Sequence, residues 1–358
     1  MSVGARRISR SSKGSDVGRL GVYDGIAYYD TTPTVTQGVR RTHQVFGHYP
    51  DVATDYFNSE PSQMAALPTN FNAMRTRMGF GVDVLATWNT GLGSGVRSIG
   101  TKDIAAANNA HGSGAYANWL TVKGHLQSLD TYAASVGRRV YFAFDHEGEN
   151  YLYHSDSRSP DGGVNDPQAK YDQSVTVDDW VRAVARTTKE LKDLGLTNTK
   201  VVWWTSGWNM SATTGYNGEY SVRTAGNMLA SVVASNPSWA AFPDMFGFDP
   251  YMRVDTPTFT SLVQSKINEA KAHPWYAAHP VPMCIPEFGA GTRVGANPAA
   301  RDTAMAAFYT NLRPQIQALE LEFAVMFNRN DGAISANINE SNYPNARAAV
   351  SASLAAGF

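Results

Sequence analysis

Eight short apolar runs punctuate the chain, at 20–25, 45–50, 82–88, 140–147, 200–206, 245–251, 281–288 and 321–327, and most are followed by a helical pattern. Runs of this length, bounded by turn residues, read as buried strands. Strands that alternate with helices pair in parallel, through right-handed crossovers that return the chain to the start of the next strand. Eight such units close most economically into a (β/α)8 (TIM) barrel, and an open doubly wound sheet is the competing solution. Polar residues gather after several different strands, which favours the barrel, whose single rim collects them. No linker-like shift in composition divides the 358 residues. The expectation is one (β/α)8 domain over 20–358, behind a loosely held Ser/Gly/Arg tail at 1–19 that carries Arg6, Arg7, Arg10, Lys13 and Arg19.

The segments between the runs supply the outer layer. Trp119, Val122, Leu126, Leu129 and Ala133 fall on one face of a helix over 115–136 that Gly137 stops. Thr176 and Asp179 form a capping-box start for a helix with Trp180, Val181, Val184 and Leu191 as its buried stripe and Gly195 as its close. Helices are also expected over 221–234, over 256–272 with Thr256 as cap and Pro257 first, over 298–319 and over 343–356. The stretch 61–77 reads as helical only in part, because Pro68 interrupts it. The polar segment 148–174 is long for a connection without structure of its own, as when a loop walls a cleft.

Composition narrows the partners. A net charge of −1 provides no field to draw nucleic acid or an anionic membrane. No run of about 18 apolar residues exists, so no membrane insertion is expected. The first 19 residues are basic but contain no apolar core, so they do not read as a secretory signal. The protein is therefore expected either to work where it is made or to reach an extracellular glycan by another route, such as a virion. The single Cys284 rules out an intrachain disulfide and lies in an apolar run, which suits a buried small hydrophobe. Charged residues are only 17% while aromatics reach 11%, with eight Trp and seventeen Tyr, a balance that suits stacking on the flat faces of sugar rings.

Two of the apolar runs end in a glutamate. Val140-Tyr141-Phe142-Ala143-Phe144-Asp145-His146 delivers Glu147, and Val281-Pro282-Met283-Cys284-Ile285-Pro286 delivers Glu287 ahead of Phe288-Gly289. Glycoside hydrolysis uses one carboxyl that is protonated near neutral pH and one that is ionised. Strand ends converge on one barrel rim, so the two residues can meet despite their separation in sequence. A third acidic residue, Asp249 in Asp249-Pro250-Tyr251, ends the run between them.

His146-Glu147, followed by Gly148-Glu149-Asn150-Tyr151, resembles the His-Glu acid/base motif of family-26 glycoside hydrolases, which are retaining (β/α)8 enzymes acting mainly on β-mannans. Relatives in that family act on mixed-linkage β-glucans and β-1,3-xylans. Ile285-Pro286-Glu287-Phe288-Gly289 is similar to the Glu-Phe-Gly that carries the family's nucleophile on strand seven. Gly247-Phe248-Asp249-Pro250-Tyr251 is similar to the strand-six motif whose Tyr lies near that nucleophile. Trp203-Trp204 matches an aromatic-rich strand five, and Gly21-Val22-Tyr23 the opening strand. The resemblance spans most of 20–356 in order.

Carried over, it implies Glu147 as acid/base, with Glu149 in reserve, Glu287 as nucleophile, and His146 and Tyr251 as residues that orient them. Two departures fall where sugar would be gripped. Gly148-Glu149-Asn150 stands in place of Met-Asn-Gly, and Phe327-Asn328-Arg329 in place of a Trp at the end of strand eight.

Trp88, Trp204, Trp208 and Tyr49, at or just beyond expected strand ends, are candidate sugar platforms, with packing at the rim as their other role. His48, Asn328 and Arg329 are candidate hydroxyl contacts. A His-Glu-x-x-His zinc site fails because Asn150 stands at the second His, so no metal and no cofactor are expected. Gly91-Leu92-Gly93-Ser94-Gly95 lacks the Gly-Lys-Ser/Thr ending of a phosphate loop, and no Gly-x-Ser-x-Gly elbow is present. The sequence thus points to a retaining endo-glycosidase acting on a β-linked, mannan-like or β-glucan-like polysaccharide. Its alternatives are a phage- or envelope-associated depolymerase of a bacterial surface glycan and a non-catalytic carbohydrate-binding barrel.

Overall fold

The computed structural model describes residues 17–24, 34–57, 62–90, 97–148, 175–207, 210, 221–252, 258–290, 297–328, 338–339 and 342–356. Its strands are β1 (Arg19–Asp24), β2 (Val52–Phe57), β3 (Asp83–Trp88), β4 (Val140–Phe144), β5 (Thr199–Thr205), β6 (Met245–Phe248), β7 (Met283–Ala290) and β8 (Leu321–Asn328). Each pairs in parallel with the next, and β8 returns to β1, with Arg19 to Asp24 opposite Phe323 to Asn328. The seam between β6 and β7 is the narrow one: Phe246 faces Met283 and Gly247 faces Cys284. A two-residue strand, Tyr251–Met252, carries the β6 chain onward beside Gly289 and Ala290. The result is a closed eight-stranded (β/α)8 barrel.

The helices around it are α1 (Thr34–Phe46), α2 (Ser62–Ala65), α3 (Leu67–Met78), α4 (Arg97–Ala106), α5 (Ala115–Val136), α6 (Val177–Asp193), α7 (Val222–Ser235), α8 (Phe259–Lys271), α9 (Pro274–Ala278), α10 (Pro298–Tyr309), α11 (Leu312–Ala318) and α12 (Pro344–Ala355). Side chains alternate across the strands. Tyr23, Tyr56, Leu85, Tyr141, Val202, Trp204, Cys284 and Phe323 fill the barrel, while Val22, Val84, Phe142, Trp203, Phe246 and Met326 pack under the helices. The expected stripe of α5 is fully buried, as is that of α6. Burying each such large apolar side chain contributes about 1.5–3 kcal/mol. The capping box of α6 forms, with Thr176 Oγ1 accepting from the Asp179 amide at 3.3 Å and the Thr176 amide donating to Asp179 Oδ2 at 3.0 Å.

Charged groups close the N-terminal end of the barrel. Glu322 accepts from the Tyr141 hydroxyl at 2.7 Å and from Lys200 Nζ at 2.9 Å, with Arg19 and Arg139 within 4 Å. Arg19 also pairs with Asp83 at 3.1 Å. Arg19, grouped by sequence with a solvated tail, is instead the first residue of β1 and part of this network; a strand end rich in carboxylates draws it in.

Four expectations about the elements are corrected. The second strand is Val52–Phe57 and not 45–50; Val45 and Phe46 end α1, and Gly47, with φ of 75°, turns the chain. Pro68 stands in the first turn of α3 instead of interrupting a helix, where its missing N–H costs nothing. Thr258, and not Thr256, caps α8, its hydroxyl accepting from the Ser261 amide at 3.1 Å. The stretch 298–319 is two helices, because Thr310 is extended and Asn311 adopts a left-handed φ of 55°. Three further helices, α1, α4 and α9, fall where no helix was expected. Among the described residues no helix is long and apolar enough to cross a membrane.

The packing of α7 yields a test. A Cβ on Gly226 would lie 2.3 Å from Cδ1 of Trp275, a ring wedged between Trp203, Phe242 and Phe246. Alanine gains about 1 kcal/mol of helix propensity over glycine, but the clash costs about 1–3 kcal/mol and the ring has nowhere to go. Gly226→Ala is therefore expected to lower the urea midpoint with an unchanged slope, and a raised midpoint would show that the ring can move.

Candidate active site

Glu287 lies near the C-terminal end of β7, and a bulge aims it. Cys284 faces the barrel interior and Ile285 the helices. Strict alternation would send residue 287 outward, but the register with β8 shifts between Ile285 and Phe288. Phe288 then packs outward and Glu287 turns in, a re-aiming that bulges accomplish by inserting one residue. Gly247 makes room for the turn, since a Cβ there would lie 2.6 Å from Cγ of Pro286.

Glu287 is 7% exposed. The Tyr251 hydroxyl donates to its Oε2 at 2.5 Å, and the Tyr56 hydroxyl donates to its Oε1. Burial, followed by the charge on Glu287, pushes both phenols well above their ordinary value, so both remain protonated donors.

Asp249 ties the two strand ends together. Its Oδ1 accepts the backbone N–H of Glu287 at 3.0 Å and its Oδ2 accepts the indole N–H of Trp204 at 2.6 Å. Its carboxyl is also hydrogen-bonded to the side chain of Glu147. Burial, then the charges of Glu287 and Glu147, drive the Asp249 carboxyl well above the usual carboxylate range, and the indole N–H opposes them without winning. Glu147, Asp249 and Glu287 thus meet across the ends of β4, β6 and β7.

The turn after β4 is bent to achieve this. Asp145 and Glu147 have φ of 41° and 52°, a left-handed backbone that costs about 1–3 kcal/mol at a residue other than glycine. Two sets of bonds hold it. Asp145 accepts from the Thr90 amide at 2.6 Å, the Thr90 hydroxyl at 2.8 Å and the Thr101 hydroxyl at 2.7 Å. The Glu147 amide donates to the carbonyl of Trp204 at 2.9 Å. Between them His146 is 8% exposed, with Nδ1 2.8 Å from Asn89 Oδ1 and 3.2 Å from Thr87 Oγ1. Its ring rests against Trp204 and Tyr56, with centroids at 4.7 and 5.2 Å.

The other candidates are distributed differently. His48 and Tyr49 stand in the turn before β2, at the N-terminal end of the barrel and away from Glu287. Tyr49 stacks there on His43 and edges onto Phe80. Their displacement follows from the corrected position of β2. Trp88 is fully buried on the helix side of β3, stacked on Trp119, and offers no face to a ligand. Trp204 is 1% exposed inside the barrel, so it holds Asp249 and His146 instead of forming an open platform. Asn328 spends its amide on the backbone of Ile338, donating at 2.9 Å and accepting at 2.7 Å. Glu149, Trp208 and Arg329 lie outside the described residues.

Three participants carried no expectation: Tyr56, Asn89 and the latch residue Asp145. The alternation of Val52-Ala53-Thr54-Asp55-Tyr56 was a usable signal for the first, but the apolar pair Val45-Phe46 drew the strand assignment upstream. Among the described residues no group of three or more His, Cys, Asp and Glu side chains is arranged to hold a metal ion.

No family model matches the sequence, and no curated protein matches it. The structure nevertheless superposes on solved structures of family-26 glycoside hydrolases. A β-mannanase from Bacteroides ovatus is 14% identical, with 95% of this chain and 90% of that one covered and a TM-score of 0.52. The family-26 domain of an endo-β-mannanase/endo-β-glucanase from Prevotella bryantii is 11% identical over 93% and 89%, with a TM-score of 0.51. A modular endo-β-1,4-mannanase from Cellulomonas fimi is 13% identical over 94% and 71%, with a TM-score of 0.53. The chain has the fold of these β-mannanases. At such identities the likeness speaks for the (β/α)8 architecture alone.

Two predictions follow from the site's electrostatics and its latch. Asp249 keeps its proton in the folded chain at pH values where an unfolded Asp, near 3.9, has lost it, so its contribution to stability falls as pH rises through that window. Infrared spectra taken about two units above that ordinary value should show a protonated-carboxyl stretch that disappears in Asp249→Asn; its absence from the unaltered protein would contradict the raised pKa. Asp145→Ala removes the acceptor of three buried donors and should cost on the order of 3 kcal/mol in urea unfolding, whereas a loss below about 1 kcal/mol would mean that the latch does not hold the turn.

Proposed function

We propose that this chain is a retaining endo-glycoside hydrolase that cleaves a β-linked polysaccharide, mannan-like or β-glucan-like, by double displacement. The observation that carries the reading is the hydrogen-bonded chain from Glu147 through Asp249 to Glu287 at the C-terminal ends of β4, β6 and β7, the barrel face where such enzymes work. The fold likeness to β-mannanases supports the same reading.

In the first displacement the Glu287 carboxylate attacks the anomeric carbon. The bond to the leaving oxygen breaks, and Glu147 gives that oxygen its proton, leaving a covalent glycosyl ester. In the second, Glu147 takes a proton from water, the water oxygen bonds to the anomeric carbon, and the Glu287 carboxylate departs. Two phenol donors on Glu287 suit a group that must remain ionised to attack. The negative charge of Glu287 favours the protonated form of Glu147 between turnovers. The chemistry requires two carboxyls and a water, and no cofactor.

Reducing-sugar release from a panel of β-mannans, β-glucans and bacterial envelope polysaccharides tests the reading. Glu287→Gln should abolish hydrolysis while the fold survives. Glu147→Ala should cost about 10²–10⁴-fold on substrates with poor leaving groups and be partly rescued by azide. Products should retain their anomeric configuration, the outcome expected when the two carboxyls work at a separation of about 5–5.5 Å. Undiminished turnover by Glu287→Gln, or inverted products, would overturn it.

A further inference from the structure

Tyr56 stands apart from every residue that the sequence pointed to. It projects from the end of β2 into the barrel, 6% exposed, and its hydroxyl reaches Oε1 of Glu287 while Tyr251 holds Oε2. Its ring has no freedom to leave. Tyr23 on β1 meets it edge-on at 4.9 Å, His146 after β4 at 5.2 Å, Trp204 on β5 at 5.9 Å and Phe327 on β8 at 6.5 Å. Aromatic neighbours from four strands thus fix where the O–H points, so the donor is aimed before any ligand arrives.

We propose that Tyr56 is a positioning residue for Glu287, its phenol hydroxyl clamping Oε1 as Tyr251 clamps Oε2, so that the carboxylate is fixed at two points and held in its ionised form. The inference rests on Glu287 being the nucleophile of the reaction proposed above. A carboxylate with one donor can rotate about its terminal torsion, whereas donors on both oxygens set its plane. Hydrogen bonds to the charged form also favour that form. The other titratable groups facing Glu287 are Asp249 and Tyr251 from the end of β6 and Glu147 from the end of β4, with Tyr23 and His146 against Tyr56 itself. Ionisation of either acidic neighbour would push Glu287 toward its neutral form, and the two phenols oppose that.

The test reads Glu287 directly. The chain is labelled with carboxyl-¹³C glutamate, and the resonance of Glu287 is assigned by its loss in Glu287→Gln. In Tyr56→Phe, which keeps the ring and removes only the hydroxyl, the titration midpoint of Glu287 should rise by about one pH unit, the worth of one hydrogen bond to a charged group. Fluorotyrosine at position 56 makes a more acidic donor and should move the midpoint the other way, a sign that a packing defect cannot produce. A midpoint unchanged in a folded Tyr56→Phe chain, or one that rises with fluorotyrosine, overturns the assignment.

On any polysaccharide that the unaltered protein hydrolyses, the acid limb of kcat/KM should shift upward by the same amount in Tyr56→Phe, because that limb reports the free enzyme's essential carboxylate. The loss should fall on kcat more than on KM. A uniform fall across pH with an unmoved limb would reduce Tyr56 to packing and overturn the proposal. If no polysaccharide is hydrolysed, the glycosidase reading fails on its own, and the Glu287 midpoint still decides the role of Tyr56.

Discussion

Everything at the C-terminal rim depends on how β6 and β7 meet. Only two residue pairs join them, Phe246 with Met283 and Gly247 with Cys284. Beyond that seam the backbone amide of Glu287 is taken by a side chain, Asp249, in place of a strand partner. One carboxyl therefore stitches the sheet and sits between two others. Two unit charges 4 Å apart repel by about 4 kcal/mol at an effective dielectric near 20, so ionising all three adjacent carboxyls, two of them buried, is strongly disfavoured. Burial drives Asp249 away from ionisation, and Glu287 is the one given two phenol donors. The site separates protonation states by unequal solvation and unequal hydrogen bonding of otherwise similar groups.

The two ends of the barrel use charge in opposite ways. At the N-terminal end Glu322 is surrounded by Lys200, Arg19 and Arg139, and the Tyr141 hydroxyl completes its bonds. Acid and base are matched there, which suits a plug that keeps water out. At the C-terminal end the carboxyls face phenols, an indole and one another. The backbone carries the same asymmetry. Asp145 and Glu147 adopt left-handed angles at the C-terminal rim, and the Asp145 latch to Thr90 and Thr101 offsets their cost.

Much of the barrel was legible because its signals are local. Strand runs such as 82–88 and the α5 stripe of Trp119, Val122, Leu126, Leu129 and Ala133 declare themselves in apolar spacing. The capping box at Thr176 does so in residue type. The misplaced second strand shows where this fails. Val45 and Phe46 are apolar because α1 packs them inward, and six residues cannot distinguish a helix end from a strand. That error concealed Tyr56 and sent His48 and Tyr49 to the wrong rim. Trp88 was misread for a related reason: its place at the end of β3 was plain, but the face of the strand on which it lay was not. Glu287 was found by motif, yet the bulge that turns it inward and the role of Asp249 under its amide arise from contacts between strands that no single stretch encodes.

The most direct test of the central claim is to trap the intermediate. Incubation with an activated 2-deoxy-2-fluoro glycoside of whichever sugar the panel identifies slows the second displacement, and peptide mass mapping then locates the bound sugar. A single adduct on the peptide bearing Glu287, lost in Glu287→Gln, is the predicted result. A sugar attached to Asp249 or Glu147, or hydrolysis that proceeds with no adduct at all, would contradict the account.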